Sequence, residues 1–174
     1  YVEGSGPSAE QNFTVSGSDL TNDISITPPT NYEISTGTGG SFSATNPITL
    51  TQTDGTVEET TIYVRLKAGL AAGDYNDEVI TASSTDADNK TVTCSGSVSE
   101  PPSITFYFRG PSWMNNNPHD PEIWGPFNGW ASPATMTFGD VPGWWSVTVE
   151  VADASASIEY QSRFSQDGET KYQK

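Results

Sequence analysis

The sequence predicts an all-β chain folded as two β-sandwiches in tandem, residues 1–100 and 101–174. Three observations predict it. The first 100 residues hold seven short runs with period-two alternation and no pattern of helical length. Ser99-Glu100-Pro101-Pro102-Ser103 then interrupts the series; its prolines cannot donate ladder hydrogen bonds and they stiffen the join. Beyond it the composition changes, because all five tryptophans fall between Trp113 and Trp145, among a second set of short runs. A chain of 174 residues is long enough for two small domains.

In order, residues 1–10 are polar and glycine-rich and read as a linker or ragged end. Gln11 to Val15 is the first expected strand. Leu20 to Thr27 follows, with Ile24 and Ile26 on one face, and then Tyr32-Glu33-Ile34. Ile48-Thr49-Leu50-Thr51 comes after a Gly/Ser loop. Thr60 to Leu66 carries Ile62, Val64 and Leu66 in period two, the pattern of a half-buried strand. Tyr75 to Ala82 and Thr91 to Val98 complete the first sandwich.

The second half opens on the strand Ile104-Thr105-Phe106-Tyr107-Phe108. Gly110 to Pro121 is a loop of Pro, Asn and Trp. Ile123-Trp124 is a short strand leading into the turn Phe127-Asn128-Gly129-Trp130. Ala134 to Phe138 alternates. Trp144 to Val151 is the longest expected strand, with Trp145, Val147, Val149 and Val151 on one face. Ile158 to Phe164 and Glu169 to Gln173 flank Asp167-Gly168, a hairpin signal.

Charge narrows the partners. The net charge is −15, divided as 14 acidic and 3 basic side chains in residues 1–100 and 8 and 4 in residues 101–174. Such a surface repels phosphate, which argues against nucleic acid and anionic membranes and leaves neutral ligands. No run of about 18 apolar residues is present, so no membrane-inserted helix is expected. Cys94, the one cysteine, lies in a strand pattern and reads as a buried, inert thiol. The excess of Thr, Ser, Gly and Asn over Lys and Arg is common in exported bacterial β proteins. The expected location is therefore extracellular or cell-surface, in a chain covalently linked to further domains.

Two resemblances sharpen this reading. Phe13-Thr14-Val15-Ser16-Gly17, Tyr32-Glu33-Ile34-Ser35 and Thr61 to Leu70 followed by Gly73-Asp74-Tyr75 resemble the immunoglobulin-like repeat of bacterial secreted and cell-surface proteins, over roughly residues 8–99. That implies a spacer and no chemistry. Gly125-Pro126-Phe127-Asn128-Gly129-Trp130, then Met136, Gly143-Trp144-Trp145, Tyr160 to Phe164 and Asp167-Gly168, resemble the glycogen- and starch-binding carbohydrate-binding modules (family 48, early-set sandwiches). This resemblance covers about residues 104–174. It implies that Trp130 stacks on glucose rings, that Arg163 hydrogen-bonds the sugar if two residues are inserted near Gln161-Ser162, and that Trp145 is core. The family's second aromatic falls at Thr170 here, with Tyr172 two residues further on the same strand face. Its last strand would lie beyond Lys174.

The chemistry is coherent without the family. A sugar ring has an apolar C–H face that an aromatic covers and a rim of hydroxyls that Arg, Asn, Gln or Asp answers. Trp130, Asn128, Trp113, Arg163 and Tyr172 are the candidate contacts, and a polysaccharide or oligosaccharide, an α-glucan by the resemblance, is the expected partner. Trp124 reads as buried and Trp144 as opposite in face to Trp145. Each aromatic also has a plain reading as core, and Arg163 as a surface ion-pair residue. No cofactor, metal or catalysis is expected. His119, Asp120 and Glu122 form a weak metal or hydrolase pattern, and Asp86, Asp88 and Asn89 a weak calcium pattern. The second reading is a purely structural or adhesive segment whose tryptophans are all core; a third and weaker one is a small hydrolase using the 113–122 loop.

Overall fold

The structure, a computed structural model, describes residues 1–109, 121–128, 133–139, 144–151, 160–166 and 169–173; at Asn128 and along 163–166 and 169–173 it describes the backbone. The chain is all-β and divides into two compact units, Tyr1–Glu100 and Pro101–Lys174.

The first unit contains β1 (Gln11–Gly17), β2 (Ile24–Thr27), β3 (Tyr32–Ser35), β4 (Ile48–Leu50), β5 (Val57–Leu66), β6 (Gly73–Asp74), β7 (Glu78–Ser83), β8 (Lys90–Cys94) and β9 (Ser97–Val98). One antiparallel sheet runs β1-β5-β3 and the other β4-β2-β7-β8, with β6 and β9 paired apart. Period-two alternation turns one face of each sheet inward. Ile62, Val64 and Leu66 of β5 thus meet Ile24 and Ile26 of β2 and Ile80 of β7 in one buried cluster, joined by Tyr32, Ile34 and Leu50. Each such side chain stabilises the fold by about 1.5–3 kcal/mol relative to exposure.

Polar ties hold the edges of this sandwich. Arg65 lies opposite Glu33 in the β3–β5 register; its Nε donates to Glu33 Oε1 at 2.6 Å, and its guanidinium lies 3.9 Å over the Phe42 ring. Glu10 sits 3.6 Å from the same guanidinium and accepts from the Thr38 hydroxyl and the Gly39 N–H. Glu78 accepts from both the backbone N–H and the side-chain amide of Asn31. Asp54-Gly55 makes the turn into β5: Thr53 and Thr56 exchange both backbone hydrogen bonds, and both turn residues have positive φ, 50° and 81°. That is the geometry a two-residue type I′ turn needs and Asp-Gly supplies.

Several expected strands differ in extent. Leu20 to Asp23 is outside β2, because the chain turns at Asp19 with φ 56° and Leu20 N–H bonds to the Gly55 carbonyl. Thr91 to Val98 is two strands, not one. At the break, Gly96 leaves the ladder: its carbonyl accepts from Tyr75 N–H and its own N–H donates to Asn76 Oδ1.

Among the described residues the second unit contains β10 (Ser103–Phe108), β11 (Glu122–Trp124), a 3₁₀ turn (Pro126–Asn128), β12 (Ala134–Thr135), β13 (Thr137–Phe138), β14 (Trp145–Glu150), β15 (Gln161–Gln166) and β16 (Glu169–Gln173). One sheet runs β10-β14-β13 and the other β12-β11-β15-β16, all antiparallel. The alternating run Ala134 to Phe138 is shared between the two sheets. It changes sheet at Met136, which is buried and whose N–H donates to the Pro121 carbonyl at 2.8 Å. Strands that cross a sandwich corner in this way are a known solution to closing it. Gln166 pairs with Glu169, so Asp167 and Gly168 are the two residues of the β15–β16 connection.

Inside this unit aromatic rings pack beside the buried Ile123, Met136 and Val151. Trp145 is 2% exposed and is the core member of the Trp144-Trp145 pair. Phe108, Trp145 and Phe138 form one register row across β10, β14 and β13, with Trp145 6.3 Å from the first ring and 4.7 Å from the last. Trp144 is half-buried and lies 5.9 Å under the Arg109 guanidinium.

Candidate functional site

The Gly-Pro-Phe-Asn segment has a steric reason for its spacing. Gly125 is buried, and a Cβ placed on it would overlap the Phe127 ring. Phe127 is therefore free to fold back over the backbone within one 3₁₀ turn, and it meets Phe106 of the facing sheet at 5.7 Å. Phe106 in turn meets Tyr160, which precedes β15, at 5.1 Å. The cluster Phe127–Phe106–Tyr160 anchors the end of β11 and the start of β15. Asn128 closes the 3₁₀ turn. Trp130 and Trp113 lie outside the described residues.

The sheet β12-β11-β15-β16 brings other candidates together. Ile123 is 1% exposed, and its register partner Ser162 is also buried, so this row faces inward. Alternation puts the neighbouring rows on the opposite face. One of them crosses all four strands: Thr135 opposite Glu122, Glu122 opposite Arg163, and Arg163 opposite Tyr172. Two residues along β11, Trp124 is opposite Gln161. Arg163 and Tyr172 are thus direct cross-strand partners on one face, with Glu122, Trp124 and Gln161 beside them. The four-strand row spans roughly 14 Å. Thr135 is exposed, and Glu122, Trp124 and Gln161 are half-buried.

This face combines an indole, a phenol position, a guanidinium position, a carboxylate and an amide. That set offers flat apolar surface together with both donors and acceptors. Sequence reasoning left out Glu122 and Gln161 as binding candidates and took Trp124 as buried. The missed signal is the triplet Glu122-Ile123-Trp124 itself. Once the middle residue is assigned to the core, its neighbours must share the other face.

The outer face of the β10-β14-β13 sheet is different. Tyr107 is 56% exposed there, in one register row with Ser146 and Thr137, and Thr105 and Thr148 share a hydroxyl hydrogen bond of 2.8 Å. It carries one aromatic ring and no cation along the β10–β14 register.

The patterns for catalysis and metal binding gain little. His119 and Asp120 lie outside the described residues, and Glu122 sits in the sheet-face row. Among the described residues no group of three or more His, Cys, Asp and Glu could hold a metal ion. Asp86, Asp88 and Asn89 occupy the β7–β8 connection. Cys94 is buried in β8; burial pushes its thiol above the ordinary value, with the Glu78 carboxylate adding to the shift. A thiol held protonated is a poor nucleophile. No family model matches this chain, and no curated protein matches it significantly.

Proposed function

We propose that residues 101–174 form a non-catalytic glycan-binding module, presented by an immunoglobulin-like spacer formed by residues 1–100, in an exported bacterial protein. The observation that carries the proposal is the cross-strand pairing of Arg163 with Tyr172 on a face that also holds Glu122 and Trp124. A guanidinium beside an aromatic suits a sugar's hydroxyl rim and its C–H face together. An α-glucan is the favoured ligand, on the resemblance to glycogen- and starch-binding modules. The acidic surface of the chain fits a neutral polysaccharide better than a polyanion. Contacts of this kind stay partly solvated, so affinity is expected between micromolar and millimolar, about 4 to 8 kcal/mol.

Native gels cast with glycogen, starch, β-glucan, xylan or no polysaccharide test the proposal. Retardation in the α-glucan gels is expected, with loss of most of it in Arg163→Ala and Tyr172→Ala. Retardation in a different glycan alone would keep the module and replace its ligand. Unchanged mobility in every gel would leave the chain as a structural or adhesive segment.

A further inference from the structure

We infer that two copies of this chain pair edge to edge through β1, Gln11–Gly17. β1 ends the sheet β1-β5-β3, and β5 is its one ladder partner among the described residues. No backbone hydrogen bond from any other segment reaches it among those residues. Every second N–H and C=O of the strand therefore points away from β5 and toward solvent. The other edges of this sandwich are guarded. Ser43 covers the outer side of β3 by exchanging two backbone hydrogen bonds with Ile34. β4 is three residues long and follows Pro47, and β8 begins on Lys90. β1 has none of these devices: it is seven residues long, without charge and without proline. The irregularity in its ladder belongs to β5. Val15 faces Thr60 and Gly17 faces Val57, so Glu58 and Glu59 together oppose Ser16, and β1 itself stays regular.

Charge selects a second copy as the occupant. Residues 1–100 hold 14 acidic and 3 basic side chains, so two copies repel over most of this unit. β1 is a gap in that field, and set against itself it brings no like charges together. An antiparallel pair of identical strands is also self-complementary about a two-fold axis. With the axis at Thr14, Phe13 of each copy lies opposite Val15 of the other. Both side chains are half-buried and pack on the core, beside an open groove between β1 and β8 lined by Leu20, Ile80, Ala82 and Val92. The incoming strand carries its own Phe13 and Val15 over that groove, and its Thr14 outward. A contact of seven residues on each side is small, so the pair forms weakly and reversibly. The contact stands without the glycan-binding reading; with it, two modules act on one polysaccharide and gain avidity.

Sedimentation equilibrium of the full chain, from about 10 μM to about 1 mM, tests this. The average mass is expected to rise with concentration toward that of a dimer. It is expected to rise further with added salt, which screens the repulsion between acidic copies. Thr14→Lys, its fold checked by circular dichroism, sets two ammonium groups opposite each other at the axis and is expected to hold the mass at that of the monomer. Thr14→Cys is expected to form a disulfide-linked dimer in mild oxidant, because residues directly opposite in an antiparallel pair lie about 4.5–5.5 Å apart at Cα. Thr49→Cys, exposed like Thr14 but on β4, is expected to remain uncrosslinked. A mass that stays monomeric at every concentration and salt overturns the inference, and that result needs no variant. So does a folded Thr14→Lys protein that still dimerises, or a Thr14→Cys protein that crosslinks no faster than Thr49→Cys.

Discussion

The two units share a fold class and little else. The first has an aliphatic core drawn from both of its sheets, Ile24, Ile26, Ile34, Ile62 and Ile80 among its members, and no tryptophan anywhere. Its charged side chains tie elements together: Arg65 to Glu33 and Glu10, and Glu78 to Asn31. The second gathers all five tryptophans of the chain into 74 residues and packs by aromatic rows, Phe108–Trp145–Phe138 and Phe127–Phe106–Tyr160. Aliphatic side chains interdigitate densely. Aromatic side chains serve two purposes, as bulk inside and as flat surface outside. Under the proposed function, the first unit serves as spacer and the second as the recognition module.

A pair of substitutions sharpens the contrast. Ile62→Ala removes a fully buried aliphatic group and is expected to destabilise the first unit by about 2–5 kcal/mol. Gly125→Ala forces a methyl group against the Phe127 ring and is expected to destabilise the second by about 1–3 kcal/mol. Tryptophan fluorescence reports the second unit alone, whereas far-ultraviolet circular dichroism reports both. In denaturant titrations, Gly125→Ala is therefore expected to move the fluorescence transition. Because each unit has its own core, Ile62→Ala is expected to move a dichroism transition and leave fluorescence in place. A fluorescence transition that follows Ile62→Ala would break the comparison.

A smaller effect separates the units by pH. The Tyr32 hydroxyl donates to the Tyr75 carbonyl at 2.7 Å and is pushed up to about 12, first by burial and then by Cys94 and Glu78. The Cys94 thiol is raised as well, again first by burial. For both groups the folded state favours the protonated form. Their contribution to stability is full below the ordinary thiol and phenol values. It is lost as pH rises through the raised ones, because the unfolded chain ionises first. Thermal melting of the first unit is expected to fall as pH rises from the ordinary thiol value toward about 12. Melting followed by dichroism across that range checks it, and Cys94→Ala should reduce the dependence.

Much of the first unit was legible in the sequence, because period two survives wherever a strand is long enough. Ile62, Val64 and Leu66 mark β5 without help from any other residue. Alternation puts Trp144 and Trp145 on opposite faces, and the family resemblance favours Trp145 as the core member, which is the one the structure buries. The parts that could not be read depend on contacts remote in sequence. The run Ala134 to Phe138 alternates without a break, yet it serves two sheets, and only the bond from Met136 to the Pro121 carbonyl marks the change. Thr91 to Val98 looks continuous, yet Gly96 is captured by Tyr75 and Asn76. At the candidate site, β11 is three residues long, too short to display a period, so the common face of Glu122 and Trp124 emerges from the burial of Ile123. Arg163 and Tyr172 could be named singly from the sequence. Their pairing is a matter of hairpin register, set by the two-residue connection at Asp167-Gly168.

The most direct test of the central claim is a titration of the ¹⁵N-labelled chain with maltoheptaose and, in parallel, cellohexaose, followed through backbone amide shifts. The expected result is a set of perturbations concentrated on Glu122–Trp124, Gln161–Gln166 and Glu169–Gln173, with the first unit and the Tyr107 strand unmoved. Perturbations confined to Ser103–Phe108 and Trp145–Glu150, or none with either ligand, would contradict it.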